Sequence, residues 1–373
     1  MKGSQALRAL LDRAVMEDLA VRGGCLLVEA PELAWEGASG LADPRGLAMQ
    51  PDSQFQAASI TKMITATCLV MLSEGGQVDL DAGIDRYLAS SITAGLHDYR
   101  GRSYGSAITA RQLLSHTSGV ADFFGDGQPG ASGIFPFLEK MIEEPDKLWD
   151  PLEIVEWTKA NLQPVFAPGE GWHYADTGFV LAGLIIEAVT GSPLHQVFQR
   201  HIFAPLGMNH TYMLFREPPR PSLPGRDPSR AYVADLDYGL HRSVSADWAS
   251  GGLVTTAQDL ARFLRAFADN HIFEDAHSRE QMLTWTPTGE EGVYYGLGVR
   301  RFALGELGMP GYGELWGHTG FLKSFMLYWP RQDAVMCGTL NQSAAQGVFS
   351  TLRPVSALVP AVMRALLSES RVT

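Results

Sequence analysis

Cysteine is scarce in this chain, with three among 373 residues. Cys25, Cys68 and Cys337 are far apart, odd in number and set in apolar surroundings, which excludes a disulfide framework or a zinc site. They read as small buried hydrophobes, and a reducing, cytoplasmic compartment is the expectation. Basic residues are also few: 29 Lys and Arg stand against 41 Asp and Glu, for a net charge of −12, and they form no runs. That excludes a surface built to track phosphates, so no nucleic-acid partner is expected. Long apolar stretches are missing as well. None approaches the roughly 18 residues of a spanning helix, so no membrane partner is expected. At the N-terminus, Leu7, Leu10, Leu11, Ala14, Val15 and Leu19 recur at helical spacing, but Arg8, Asp12, Arg13, Glu17 and Asp18 interrupt them. A signal peptide needs an unbroken apolar core of about 7–15 residues, and this segment has none.

What remains is an ordinary globular composition, 46% hydrophobic and 19% charged, long enough to bury a large core. After the first helix, "GCLLVEA" and "ELAWEGASG" read as two antiparallel strands joined at Pro31. A buried helix follows from Ser59 to about Glu74, stopped by Gly75 and Gly76. Residues 77–245 alternate helices with long loops, including a short helix capped by Thr109 and an apolar helix ended by Gly191. A further helix in "TTAQDLARFLRAFADN" has Thr255 or Thr256 as its cap. The last ninety or so residues hold short aromatic and β-branched strands and a closing helix over Val355 to Leu367. The fold class is therefore α/β: an antiparallel sheet flanked by helices, with an inserted, mostly helical domain. Residues 1–75 and 246–373 are assigned to the sheet domain and 76–245 to the insertion, with a cleft between them as the natural site.

One short stretch carries chemistry. In "AASITKM" Ser59 precedes Lys62 by three residues. On a helix such positions share a face, about 5–6 Å apart at Cβ, so the ammonium reaches the hydroxyl. Serine is a weak nucleophile that needs a neighbouring base, and the first helical turn favours developing negative charge. A cap serine beside a solvated lysine fits these residues equally well. Two more stretches bear on the choice: "GEGWHYADTGF", with Tyr174 and Asp176, and "LWGHTGFLKSF", with His318, Thr319 and Gly320.

In order and spacing the three stretches resemble the serine hydrolases of the penicillin-binding and class C β-lactamase type, and the likeness runs from about residue 23 to 345 through "ITARQLLSHTSGVADFF" and "WASGGLVTTAQDLARFL". The resemblance implies Ser59 as nucleophile, Lys62 and Tyr174 as the proton-handling pair, and the backbone N–H groups of Ser59 and Phe321 as oxyanion hole. It also implies that the triplet lies on an edge strand facing the serine, and that no cofactor or metal is needed. A phenol with pKa near 10 becomes a usable base when an ammonium favours its anion. Which of the two takes the serine proton stays open.

The chain departs from the family at three places. Asp176 stands where asparagine is usual; it would hold Lys62 protonated, receive a cationic group of the substrate such as a free amine, or simply cap a helix. His318 replaces the common lysine, a poorer carboxylate anchor. Phe321 follows the triplet where a carboxylate-gripping hydroxyl is usual. Phe123, Phe124, Trp172 and Trp316 suit an apolar acyl pocket, though core positions are the commoner use of aromatics. Together these point to a hydrolase of small esters or amides, including D-amino-acid derivatives. D-Ala-D-Ala carboxypeptidase, weak β-lactamase, acyltransferase and non-catalytic binding protein are the alternatives. A Gly-x-Ser-x-Gly elbow and a His-Glu-x-x-His metal motif are absent, Gly296 and Gly298 lack the third glycine of a dinucleotide loop, and His116 is read as a structural loop residue.

Overall fold

The computed structural model describes residues 2–16, 21–130, 133–233, 236–343 and 355–369. Eight strands form one antiparallel sheet: β1 (Gly23–Ala30), β2 (Leu33–Gly40), β3 (Thr286–Pro287), β4 (Val293–Tyr295), β5 (Arg300–Ala303), β6 (Glu314–Thr319), β7 (Ser324–Trp329) and β8 (Ala334–Thr339). Their spatial order is β3-β4-β5-β6-β7-β8-β1-β2. The register Cys25↔Thr339 through Glu29↔Val335 joins the N-terminal hairpin to the C-terminal strands.

Five helices matter for the site: α1 (Lys2–Met16), α2 (Thr61–Glu74), α3 (Asp176–Thr190), α4 (Ala257–Ala268) and α5 (Val355–Glu369). The period-2 alternation of the strands sorts side chains to two layers. Leu26 and Val28 of β1, Phe325 and Leu327 of β7 and Met336 of β8 pack against α1 and α5 through Leu7, Leu11 and Val362. Cys25, Leu27, Met326, Val335 and Cys337 belong to the opposite layer, where α4 places Leu260, Phe263, Leu264 and Phe267 at helical spacing. Of the two candidate caps Thr256 is the one used: its hydroxyl accepts the Asp259 N–H at 3.1 Å. Thr109 caps Ala110–Leu114 through a capping box with Gln112, and Gly191 ends α3 in the left-handed conformation. The three cysteines are free and buried, and burial pushes Cys25 and Cys68 up to about 12.

Helix α2 lies in the middle of the larger core, against α3 and the short helix Trp248–Gly251. It accepts close neighbours because Gly298 (φ +69°) turns the chain ahead of β5; a Cβ there would lie 2.5 Å from Ala66 Cβ. The glycines of "GLGVRR" are thus a packing turn. One expectation from the resemblance is corrected: β6 is an interior strand, flanked by β5 and β7. Its pairing with β5 begins at Arg300↔Gly317. Because the chain turns at Gly298, residues 318–320 keep a local edge free, next to the turn that carries Ser59.

Candidate active site

Ser59 sits in a 3₁₀ turn, Ala58–Ile60, that runs into α2, so the regular helix begins two residues later than the pattern suggests. Ala58 has φ 48°, a left-handed conformation that costs a non-glycine residue energy and is held here by its surroundings. The Ala57 N–H donates to Leu253 O at 2.8 Å, and the Ser324 hydroxyl donates to Ala57 O at 2.7 Å. Gly320 permits this approach, since a Cβ there would lie 2.7 Å from Ala57 O and 2.2 Å from Ser324 Oγ. Gly320 therefore positions the turn and does not line the cleft. The Ser59 hydroxyl caps nothing.

Lys62 is wholly buried, and its ammonium donates to Ser59 Oγ at 3.1 Å, to Ser250 O at 2.9 Å and to the Asp176 carboxylate. Three N–H bonds meet three acceptors. Burial pushes its pKa down, but Asp176 and Tyr174 outweigh that and hold it above the ordinary lysine value. Asp176 is not a cap: α3 has Ala175 at its N-cap, and the Asp176 N–H donates to Asp122 Oδ1 at 2.9 Å. Burial and the charges of Asp176 and Asp126 push the Asp122 carboxyl well above the carboxylate range.

Tyr174 faces the same cleft. Its ring centroid is 4.9 Å from Lys62 Nζ and 5.1 Å from the Arg300 guanidinium carbon. The hydroxyl interacts with Lys62 by charge and by a hydrogen-bond contact looser than the regular bonds that Lys62 makes to Ser59, Ser250 and Asp176. His116 holds the segment: its Nδ1 accepts the Ala175 N–H at 3.1 Å, its carbonyl accepts the His173 N–H at 2.9 Å, and its ring lies 4.3 Å from that of Tyr174. Burial, then the charges of Lys62 and Arg300, lower its pKa well below the usual value. A neutral ring in a positioning role agrees with the structural reading.

The cleft, of about 360 Å³, is lined by Ser59, Phe124, Trp172, Tyr174, Asp176, Arg300, Thr319 and Phe321 among others. Thr319 Oγ1 is buried without a hydrogen-bond partner among the described residues. The backbone N–H groups of Ser59 and Phe321 donate to no described residue. Besides Gly320, three expected substrate contacts are corrected. His318 is fully buried behind the cleft, with Nε2 bonded to the Tyr295 hydroxyl at 2.9 Å and Nδ1 to Thr319 O at 2.8 Å. Burial and the Arg300 and Lys62 charges keep it neutral. Phe123 belongs to the core against Phe137, ring centroids 5.0 Å apart, while its neighbour Phe124 faces the cleft. Trp316 alternates to the α4 layer, where it meets Phe267 at 5.8 Å. Arg300, Asp122 and Ser250 escaped the sequence reading, although Ser250 and Asp122 lay in quoted stretches and Arg300 stands two residues after the weighed Gly298.

The Beta-lactamase family model matches residues 11–360. Esterase EstB of Burkholderia gladioli is 28% identical over 354 residues, covering 85% of this chain and 86% of the esterase. Penicillin-binding protein 4 of Amycolatopsis lactamdurans is 28% identical over 331 residues, covering 82% and 77%. The crystal structure of D-amino acid amidase from Ochrobactrum anthropi SV3 complexed with L-phenylalanine amide aligns with TM-score 0.80 and 28% identity, covering 100% of both chains. With a matching model over nearly its whole length and the fold described above, the chain belongs to the beta-lactamase family.

Proposed function

We propose that this chain is a serine hydrolase that cleaves carboxylic esters or amides of small acyl or D-amino-acid substrates through an acyl-enzyme on Ser59. One observation carries the reading: the buried Lys62 ammonium donates to Ser59 Oγ at 3.1 Å and lies 4.9 Å from the ring centroid of Tyr174, which faces the same cleft. Lys62 is saturated and acts through its charge. Tyr174 takes the serine proton on its phenolate oxygen, with the Lys62 ammonium and the Arg300 guanidinium carbon 4.9 Å and 5.1 Å from its ring centroid. Ser59 Oγ bonds to the carbonyl carbon, the Ser59 and Phe321 N–H groups receive the oxyanion, and Tyr174 returns the proton to the leaving alcohol or amine. Water then releases the acid.

The absence of a cationic triplet residue supports neutral leaving groups over penicillins and D-Ala-D-Ala peptides, because His318 is neutral and sequestered. The esterase and amidase relatives support the same substrate breadth. A fluorophosphonate probe should label the wild-type protein and leave Ser59→Ala unlabelled; equal labelling of both would end the proposal.

A further inference from the structure

A second cavity, of about 30 Å³, also borders Ser59, and its polar walls are Asp176, Asp247 and Tyr238, closed by Phe124 and Phe321. Asp247 precedes the short helix Trp248–Gly251, which supplies the Ser250 carbonyl bonded to Lys62. No described residue donates a hydrogen bond to its carboxyl group. Tyr238 is 2% exposed, and its hydroxyl, at the same cavity, is likewise without a partner. One ammonium, Lys62, thus faces two carboxylates, Asp176 and Asp247, and a negative charge is left over beside the nucleophile. Burial and Asp176 push Asp247 up to about 7, against the pull of Lys62. Asp247 is half-buried, and an anion there with no donor among the described residues is costly, so the natural complement is a cation that brings donors.

The size of the cavity narrows that cation. About 10–15 Å³ suffices for a water-sized group such as an ammonium, whereas a hard metal ion asks for roughly six oxygen ligands that these walls do not offer. Resting on the assignment of Ser59 as the nucleophile, we infer that Asp247, Asp176 and Tyr238 form a subsite for a free amine on the acyl part of the substrate. The favoured substrates are then amides or esters of small amino acids, with the ammonium held one carbon beyond the reacting carbonyl and the side chain turned to the wider cleft.

The test is a substrate ratio. kcat/KM is measured for alanine p-nitroanilide, each enantiomer separately, and for propionyl p-nitroanilide, which differs by the amine alone. The wild-type protein should prefer one alanine enantiomer by at least about tenfold, and Asp247→Asn should reduce that preference about tenfold or more, chiefly through KM, as loss of one partner of a desolvated charge pair does. Asp247→Glu should restore part of it. An unchanged ratio in Asp247→Asn, or equal turnover of the two substrates by the wild type, would overturn the inference. Should Asp247→Asn not fold, competition settles it in the wild type: alaninamide should inhibit at least about tenfold better than propionamide, and equal inhibition would overturn it. The fluorophosphonate probe bears no amine, so unlabelled Ser59 would count against the acyl-enzyme reading and a flat ratio against the subsite alone.

Discussion

Lys62 has three N–H bonds donating to three acceptors, and in the proposed reaction this leaves the serine proton to Tyr174. Removing Lys62 leaves Asp176 without its ion-pair partner: Lys62→Met should abolish turnover and lower stability by about 3 kcal/mol in urea unfolding. The double variant Lys62→Met/Asp176→Asn should recover part of that stability; a purely additive outcome would show the pair to be uncoupled. Asp247 gives a pH signature of definite sign. Its folded pKa, about 7, lies above the ordinary 3.8. Its contribution to stability is therefore fully present below about pH 4 and lost as pH rises through about 7. Asp247→Asn should accordingly raise the thermal midpoint more at pH 8 than at pH 5, and the reverse order would refute an uncompensated charge. With Asp176, Lys62 and Tyr238 as the groups that face it, the preference for an amine-bearing substrate should decline as pH falls through 7. Ser59, Lys62, Tyr174 and Asp176 were singled out because the three stretches that hold them resemble a family's motifs in order and spacing; the three-residue spacing of Ser59 and Lys62 alone left a capping serine equally open. Asp247, Tyr238 and Arg300 were not, because their significance comes from long-range neighbours that no local pattern encodes. Phe123 and Trp316 misled for a related reason: an aromatic residue beside a motif looks the same in sequence whether it faces the cleft or the core.

At the level of elements, the nucleophile turn is held by the end of β6 through Gly320 and Ser324. Gly320→Ala would push its Cβ against Ser324 Oγ and Ala57 O, at 2.2 Å and 2.7 Å. The expected result is a tenfold or larger fall in the rate of fluorophosphonate labelling, with about 1–3 kcal/mol of lost stability from overpacking. An unaltered labelling rate would mean that the turn does not depend on this contact. Helices α2, α3 and α4 and the N-terminal hairpin could be read in advance, since each pairs a sustained apolar content with Gly, Thr or Pro punctuation. The 3₁₀ entry at Ser59 could not, because it is imposed by Leu253 and Ser324 from distant parts of the chain. Nor could the interior place of β6: the short β5 contains two arginines, and its pairing shows only once the turn at Gly298 is known.

Across the whole molecule, the layer of α1 and α5 supports the sheet on one face, and the catalytic elements lie in the other core. Leu11 of α1 is 0% exposed in the first of these layers. Leu11→Ala should lower stability by about 2–5 kcal/mol while the folded protein still labels on Ser59, which chemical denaturation and labelling at low temperature would check together. The α/β class and the joining of both chain ends in one sheet followed from where strand patterns occur. The position of each strand in the order did not, since hydrophobic alternation fixes faces and leaves neighbours undetermined. The central claim, that substrate carbonyl carbon becomes bonded to Ser59, is tested most directly by rapid acid quenching of the protein with p-nitrophenyl butyrate followed by peptide mass spectrometry. A butyryl mass on the peptide containing Ser59, absent from Ser59→Ala, is the predicted result; turnover by Ser59→Ala at the wild-type rate, or a butyryl group on another residue, would contradict it.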